Sequence, residues 1–423
     1  MKSDNYRQPI NFFVKIFNAE LLKKKNMGLK YENICKRKCG KQKKFFFVWI
    51  YILFLWSLSI LLFLLNDEIR YFVDPADFSA YFERGKWILG PKAPISEYPQ
   101  IPTYLFGFNY FLSSFFPSTF QFGAFISIFS LEMAIALFFS VQILYKLLTP
   151  EKKALCLLLI LPPTVYFTIN RFDILPVLFS LIAVYYLNQK KWGRASIFLA
   201  IATLTKWYPI LLFPGAIIYS YTVEKRFLGR VFIFYFLTIA LIILPTFIIG
   251  GIEAFAFPYQ FHIARGMEYV SIPLLIHDLL KKTDLVNLNL TMYFVIFFLL
   301  QVISPVSILL IKLKNIETLF NHFVLVISMF ILFSRIDSPQ WFLWLIPFLI
   351  LTAKNKFDVW LIAIFSFSTY LFFPVAFDVF GPSSAQFKWA GISWYILLSV
   401  FVLRSIKRLQ FRGFQKILIK GNI

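Results

Sequence analysis

The stretch Phe45-Phe46-Phe47-Val48-Trp49-Ile50-Tyr51-Ile52-Leu53-Phe54-Leu55-Trp56-Ser57-Leu58-Ser59-Ile60-Leu61-Leu62-Phe63-Leu64-Leu65 carries no charge, and as one helix it matches a bilayer core of about 30 Å. It lies too far along the chain and is too long for an ordinary cleaved signal peptide, and no small-residue cleavage site follows, so it reads as an anchor. Soon after comes a polar run, Asp74-Pro75-Ala76-Asp77-Phe78-Ser79-Ala80-Tyr81. Beyond it, Phe78, Phe82, Gly85 and Leu89 recur on one helical face and Asp77, Tyr81 and Arg84 on another. With Pro75 and Pro91 bracketing them, residues 76–90 are expected to form a helix lying on the membrane surface.

Composition extends this reading to the whole chain. Of 423 residues, 59% are hydrophobic, 20% aromatic and only 15% charged, more apolar material than one soluble core needs. The expected fold is an all-α polytopic integral membrane protein of about twelve transmembrane helices, near 45–65, 118–146, 153–169, 172–188, 195–206, 207–222, 230–250, 289–312, 318–334, 339–353, 357–374 and 387–403. The run 101–116, broken by Pro102 and Gly107 and followed by Pro117, fits a re-entrant or interfacial element, because counting it as a span inverts every later loop.

Charge orients the spans. The formal net charge of +22 would suit nucleic acid, but the excess sits in the tails and short loops, so the expected partner is anionic membrane lipid and not nucleic acid. Residues 1–44 hold 13 Lys or Arg against Asp4, Glu20 and Glu32 and read as a cytosolic tail. Within it Ile10, Phe13, Val14, Phe17 and Leu21 suit a surface helix, and a disordered basic segment equally well. Starting inside, Lys146/Lys152/Lys153, Lys190/Lys191/Arg194, Lys225/Arg226/Arg230, Lys312/Lys314, Lys354/Lys356 and the tail 404–423 all fall on the cytosolic face, around one membrane domain, 45–403. Cys35 and Cys39 amount to half a zinc site, for which reduced thiols are the simpler account; Cys156 lies in an apolar run.

The outer ends then hold the chemistry, in a first outer loop (66–117), a second (251–288) and several span termini. They carry Asp74, Asp77 and Arg84; Glu97-Tyr98-Pro99; Asn170-Arg171-Phe172-Asp173; Lys206-Trp207-Tyr208-Pro209; His262 and Arg265; and Arg335-Ile336-Asp337-Ser338-Pro339-Gln340-Trp341. Span interiors hold one acidic residue, Glu132. Each cluster has an ordinary structural use. Asn170 and Asp173 suit a helix N-cap, Ser338-Pro339 a helix start, Lys206 and Arg335 a helix C-terminus, and the aromatics an interfacial belt. Those uses leave unexplained why Arg171, Lys206, Arg265 and Arg335 face outward together.

The order of an apolar first span, Asp77-Phe78-Ser79-Ala80-Tyr81, Gly90-Pro91 and Glu97-Tyr98-Pro99 resembles the first outer loop of GT-C superfamily glycosyltransferases, especially polyprenyl-phosphate-mannose-dependent mannosyltransferases and the catalytic subunit of the GPI mannosyltransferase. Asn170-Arg171-Phe172-Asp173-Ile174-Leu175-Pro176, Lys206-Trp207-Tyr208-Pro209 and Ser338-Pro339-Gln340-Trp341 are similar to later segments of that family, so the resemblance covers roughly 45–403. It implies a GT-C-type bundle, Asp77 as catalytic base four residues before Tyr81, and Asp74 as the alternative. The outer-face residues Tyr81, Arg84, Glu97, Tyr98, Arg171, Asp173, Lys206, His262, Arg265, Arg335 and Gln340 are then the candidate substrate contacts, the cations for the phosphate and the others for sugar hydroxyls. The donor is a polyprenyl-phosphate sugar, with mannose the family default, and the acceptor a hydroxyl on a glycan, lipid or protein. Trp341 stands where tyrosine is common, there is no clear acidic dyad, and neither a metal nor another cofactor is implied.

The residue inventory fits that chemistry. Moving a sugar off a lipid phosphate needs one carboxylate to take the acceptor proton and cations to receive charge on the departing phosphate. A phosphate leaves without protonation, so the two-carboxylate logic of glycoside hydrolysis does not apply, and single displacement inverts the anomeric centre. A flippase or transporter would instead carry ionisable residues near the bilayer midplane and two similar halves. A polymerase or ligase of polyprenyl-linked glycans shares the outer arginines and stands as the closer alternative. The Lys-, Ile- and Phe-rich composition leans towards a bacterial inner membrane, with both termini cytosolic.

Overall fold

The computed structural model describes residues 45–62, 73–90, 93–266, 270–282, 290–311, 313, 315–336 and 338–409. The N-terminal tail with its expected surface helix and Cys35/Cys39, residues 410–423, Pro91 and Asp337 lie outside the described residues. The chain divides into two compact units, 1–54 and 55–423. In the first, residues 45–54 are helical and open helix α1, Phe45–Leu62.

The described residues form helices and no strand. Five helical stretches are long and apolar enough to cross a membrane: α1, Ser118–Leu147, Tyr208–Ala264, Lys356–Phe380 and Ala385–Arg408. A bent pair, Pro150–Ile160 with Pro162–Asn170, makes a sixth if counted as one span. That is the build of a multi-pass helical membrane protein. Helices also occupy the remaining expected positions, but Ile174–Asn188, Trp192–Thr205, Val295–Leu310, Ile316–Leu332 and Pro339–Thr352 are shorter. At about 1.5 Å per residue, a 14-residue helix such as Trp192–Thr205 rises about 21 Å. The expected span at 153–169 is not straight: Pro162 and Pro163 interrupt it and start a new helix, bent by 57° from the stretch before.

In the second unit, α2 (Pro75–Gly85) starts where Asp74 accepts the Ala76 N–H and Pro75 takes the first turn. A short 3-10 turn, Lys86–Leu89, continues the helical stretch expected over 76–90. Its inner face is Phe78, Tyr81 and Gly85, so Tyr81 is not on the polar face as expected, and Leu89 is exposed. The ring decides this. Tyr81 stacks on Phe106 at 4.6 Å and meets Phe129, Phe172 and Tyr98 edge-on or tilted, and the hydroxyl alone does not outweigh burial of an aromatic body. Gly85 lets α2 approach α3 (Gln100–Ser113), since a β-carbon there would lie 2.4 Å from the Phe106 carbonyl oxygen.

α4 (Ser118–Leu147), α5 (Pro162–Asn170), α6 (Ile174–Asn188) and α7 (Trp192–Thr205) follow. Glu132, the acidic residue of α4, accepts Asn109 Nδ2–H at 2.8 Å. A 3-10 turn, Tyr208–Leu212, leads into α8 (Phe213–Glu224), and α9 (Leu228–Ala264) comes next. α9 breaks at Gly251, whose φ of 63° and ψ of −161° are open to glycine alone. Helix resumes to Ala264 and again in α10 (Ile272–Lys282), so the described part of the expected outer loop 251–288 is largely helical. Higher in α9 a side chain enters the backbone ladder: Tyr104 Oη donates to the Ile242 carbonyl at 3.0 Å and accepts the Thr246 N–H at 3.1 Å, two groups that an uninterrupted helix would pair directly.

The chain closes with α11 (Leu290–Val306), α12 (Ile316–Leu332), a 3-10 turn Pro339–Trp341, α13 (Phe342–Thr352), α14 (Lys356–Tyr370), α15 (Phe377–Phe380) and α16 (Ala385–Arg408). Arg404 and Arg408 belong to α16 rather than to a free tail. Both pair with Asp358, which also closes the capping box of α14.

Candidate active site

Three breaks in helical order bring the outer clusters together: the Arg171–Asp173 corner between α5 and α6, the Lys206–Tyr208 corner after α7, and the α12–α13 connection. With α2 and the second half of α9 they surround a cavity of about 1000 Å³. Asp77, Tyr81, Tyr98, Arg171, Lys206, His262, Arg265, Arg335 and Gln340 all line it. Asp74, Arg84, Glu97 and Asp173 do not; Asp74, Asp173 and the Glu97 carbonyl bond residues that do, and Arg84 reaches only Glu97 among the described residues.

Arg171 is the hub of the α2 side. It is 7% exposed, and its guanidinium pairs with Asp74 at 2.9 Å and with Asp77. Asp74 is committed three ways: it caps α2, takes Arg171, and gives its own N–H to Asn170 Oδ1 at 2.7 Å. Asn170 therefore serves the Asp74 backbone and not an N-cap. Asp77 is the more open carboxylate and reaches the cavity, with Tyr81 Oη donating to it at 3.4 Å.

Lys206 is set from behind by Asp173, which is 1% exposed and makes no capping bond to α6. Asp173 accepts Lys206 Nζ–H at 2.9 Å and the Trp344 indole N–H at 2.7 Å. The Lys206 ammonium also lies 4.7 Å from the Phe172 ring centre and 5.6 Å from that of Trp344.

The α9 segment beyond Gly251 supplies Tyr259, His262, Ile263 and Arg265. Its end is tied down twice. His262 donates Nε2–H to the Glu97 carbonyl at 3.1 Å, which sets the tautomer, and Arg335 donates to the His262 carbonyl and to the Ile263 carbonyl, the latter at 3.1 Å. Arg335 thus does cap a helix C-terminus, that of α9 rather than that of the helix before it. Trp207 is stacked on Tyr259 at 5.1 Å. Glu97 receives Arg84 Nε at 2.8 Å.

Electrostatics follow from burial. Lys206 is pushed below the ordinary lysine value by burial, against which Asp173 acts; Arg335 is lowered by burial and by nearby Arg265. Burial lifts the Tyr81 and Tyr98 hydroxyls well above the tyrosine range, so both stay as neutral donors. Among the described lining residues, four carry positive charge (Arg171, Lys206, Arg265, Arg335) and one negative (Asp77). Such a wall favours an anion, as clustered cations in a desolvated site gain most from one.

The rest of the lining is largely apolar: Val295, Phe297 and Phe298 of α11, Phe330 and Phe333 after it, and Phe372, Phe373, Phe377 and Phe387, with the Phe373 ring centre 6.0 Å from the Arg171 guanidinium. Val295 and Phe298 line the cavity and are also 52% and 62% exposed, so the cavity reaches the outer surface of an apolar helix. Sequence reasoning named the charged members and missed Trp344, Tyr259 and the α11 residues; a tryptophan or phenylalanine in an apolar run carries no mark that separates a cavity wall from packing. Among the described residues, no group of three or more His, Cys, Asp or Glu side chains is placed to hold a metal ion. No protein-family model matches the chain, and no curated protein matches it.

Proposed function

We propose that the chain is a membrane glycosyltransferase that moves a sugar, mannose first among the candidates, from a polyprenyl-phosphate donor to an acceptor hydroxyl on the non-cytosolic face. The observation that carries this reading is a cavity whose described lining holds one carboxylate, four cations and many aromatic rings, and which reaches the exposed surface of the apolar helix α11. A donor with a phosphate head and an isoprenoid tail matches both kinds of lining. The proposal includes a twelve-span topology with cytosolic termini, the shorter helices crossing as a packed bundle.

In this reading Asp77 takes the acceptor proton while the hydroxyl attacks the anomeric carbon; the carbon–phosphate-oxygen bond breaks, and Arg171, Lys206, Arg265 and Arg335 receive the charge on the leaving phosphate. Asp77 is favoured over Asp74 because Asp74 is consumed as cap and ion-pair partner. The donor phosphate takes the place of Asp77 at Arg171, which keeps Asp74, and so frees the base from their pair.

The test is release of polyprenyl phosphate from a panel of polyprenyl-phosphate sugars, in membranes with a suitable acceptor extract and equal amounts of wild type, Asp77→Asn and Asp74→Asn. Turnover by wild type that falls at least a thousandfold in Asp77→Asn and less in Asp74→Asn is expected. Survival in Asp77→Asn with loss in Asp74→Asn moves the base. No turnover of any donor by correctly inserted wild type ends the reading and turns attention to a polymerase or flippase.

A further inference from the structure

We infer that Trp344 is the positioning residue of the cationic wall, holding the Lys206 ammonium at one point of the cavity through Asp173; the inference rests on the transferase reading for its functional meaning. Trp344 is 2% exposed and belongs to α13, remote in sequence from both partners. Its indole N–H meets Asp173 Oδ1 at 2.7 Å, and Lys206 Nζ lies 2.9 Å from both oxygens of that carboxylate. The same ring stacks on Tyr208 at 4.3 Å and 8°, two residues past Lys206, and on Trp341 at 4.8 Å and 21°. One residue therefore fixes the carboxylate behind the lysine, the ring beneath its ammonium and the chain that follows it.

The chemistry separates this role from packing. A phenylalanine would fill the same space and keep the stack, but it has no N–H. Asp173 would then have one donor fewer in a nearly sealed site and would turn its full charge on Lys206. With the indole in place, part of the carboxylate's hydrogen-bonding capacity is spent on Trp344 and its orientation is fixed, so the ammonium it pairs with at 2.9 Å is held against the Phe172 and Trp344 rings. What remains is a fixed ammonium able to accept a second anion from the cavity, which a lysine on a flexible stem does not offer by itself.

The experiment uses the full chain in detergent or membranes, as wild type, Trp344→Phe, Asp173→Asn, Lys206→Met and Trp344→Phe/Lys206→Met, each at equal abundance with its thermal midpoint recorded. Two readouts are taken. The first is the rate at which a water-soluble amine reagent modifies Lys206, read by peptide mass spectrometry and independent of any sugar transfer. The second is donor turnover. The modification rate is expected to change at least threefold in Trp344→Phe and in Asp173→Asn. Turnover is expected to fall about tenfold in Trp344→Phe, and to fall no further when that change is added to Lys206→Met. A wild-type modification rate in Trp344→Phe overturns the inference whatever the turnover shows. So do losses that multiply in the double variant, because a packing residue would act without Lys206. If wild type turns over no donor while modification of Lys206 still responds to Trp344→Phe, the transferase reading has failed and Trp344 still holds the lysine.

Discussion

Lys206 shows how much of a site can be set by groups that never meet the substrate. Burial lowers its pKa and Asp173 acts the other way, so the charge that Asp173→Asn removes is one that keeps the ammonium protonated. The variant lysine then loses its proton at lower pH. If the ammonium is needed for turnover, the alkaline limb of the kcat/KM profile is expected to begin at lower pH in Asp173→Asn than in wild type, with the acid limb in place. An unmoved alkaline limb would take Lys206 out of the reaction. The same residue marks where sequence reading stops. The clustering of Arg171, Lys206, Arg265 and Arg335 around one cavity was legible, because the expected topology set all four against a strong rule for loop charge. Which acidic residues face the cavity was not. Asp77 and Asp173 have the same side chain and similar flanking rings; only the packing of α13 behind Asp173 makes one a wall and the other a support.

Among the elements, α9 departs furthest from its expected form. Gly250-Gly251 reads as the end of a span; in the structure the helix turns there and continues, carrying Tyr259, His262 and Arg265 over the cavity. A β-carbon at Gly250 would come within 3.1 Å of Ala93 and 3.3 Å of Pro94, and Gly251 has φ 63°. Gly251→Ala is expected to cost about 1–3 kcal/mol, the scale of a residue forced into glycine-only backbone space, and to lower donor turnover by loosening the roof. Gly229→Ala, with open space around it and no positive φ, is the control and should leave both unchanged. Thermal midpoints in detergent with turnover on the same samples decide it; an unshifted Gly251→Ala would mean that the turn tolerates a side chain. α2 is the opposite case. Its start and buried Phe78 follow from proline placement and spacing; the α-helix stops at Gly85, Leu89 is exposed, and Tyr81 changes face because spacing registers a hydroxyl while packing registers a ring.

For the molecule as a whole, hydropathy and loop charge placed a helix at each expected span. They did not register that several are short or bent, since composition reports apolarity and not the path of the backbone. The twelve-span topology puts Lys190 and Gly266, both exposed, on opposite faces. With Cys35, Cys39 and Cys156 replaced by serine, Gly266→Cys should react with an impermeant thiol reagent in intact cells, and Lys190→Cys only after permeabilisation. Equal labelling of both in intact cells would rule the topology out. The bond from Tyr104 into α9 adds a constraint of time. Tyr104 is made 138 residues before Ile242, so the hydroxyl that enters α9 exists before the helix it enters. Left to itself, α9 would pair the Thr246 N–H with the Ile242 carbonyl as any helix does, so the hydroxyl fills no lack; what it adds is a bond between the first loop and a helix made far later. Synthesis order thus leaves an early group waiting for a late one, and a chain whose first loop has gone astray would keep a sound helix there and lose this tie between the two parts of the fold.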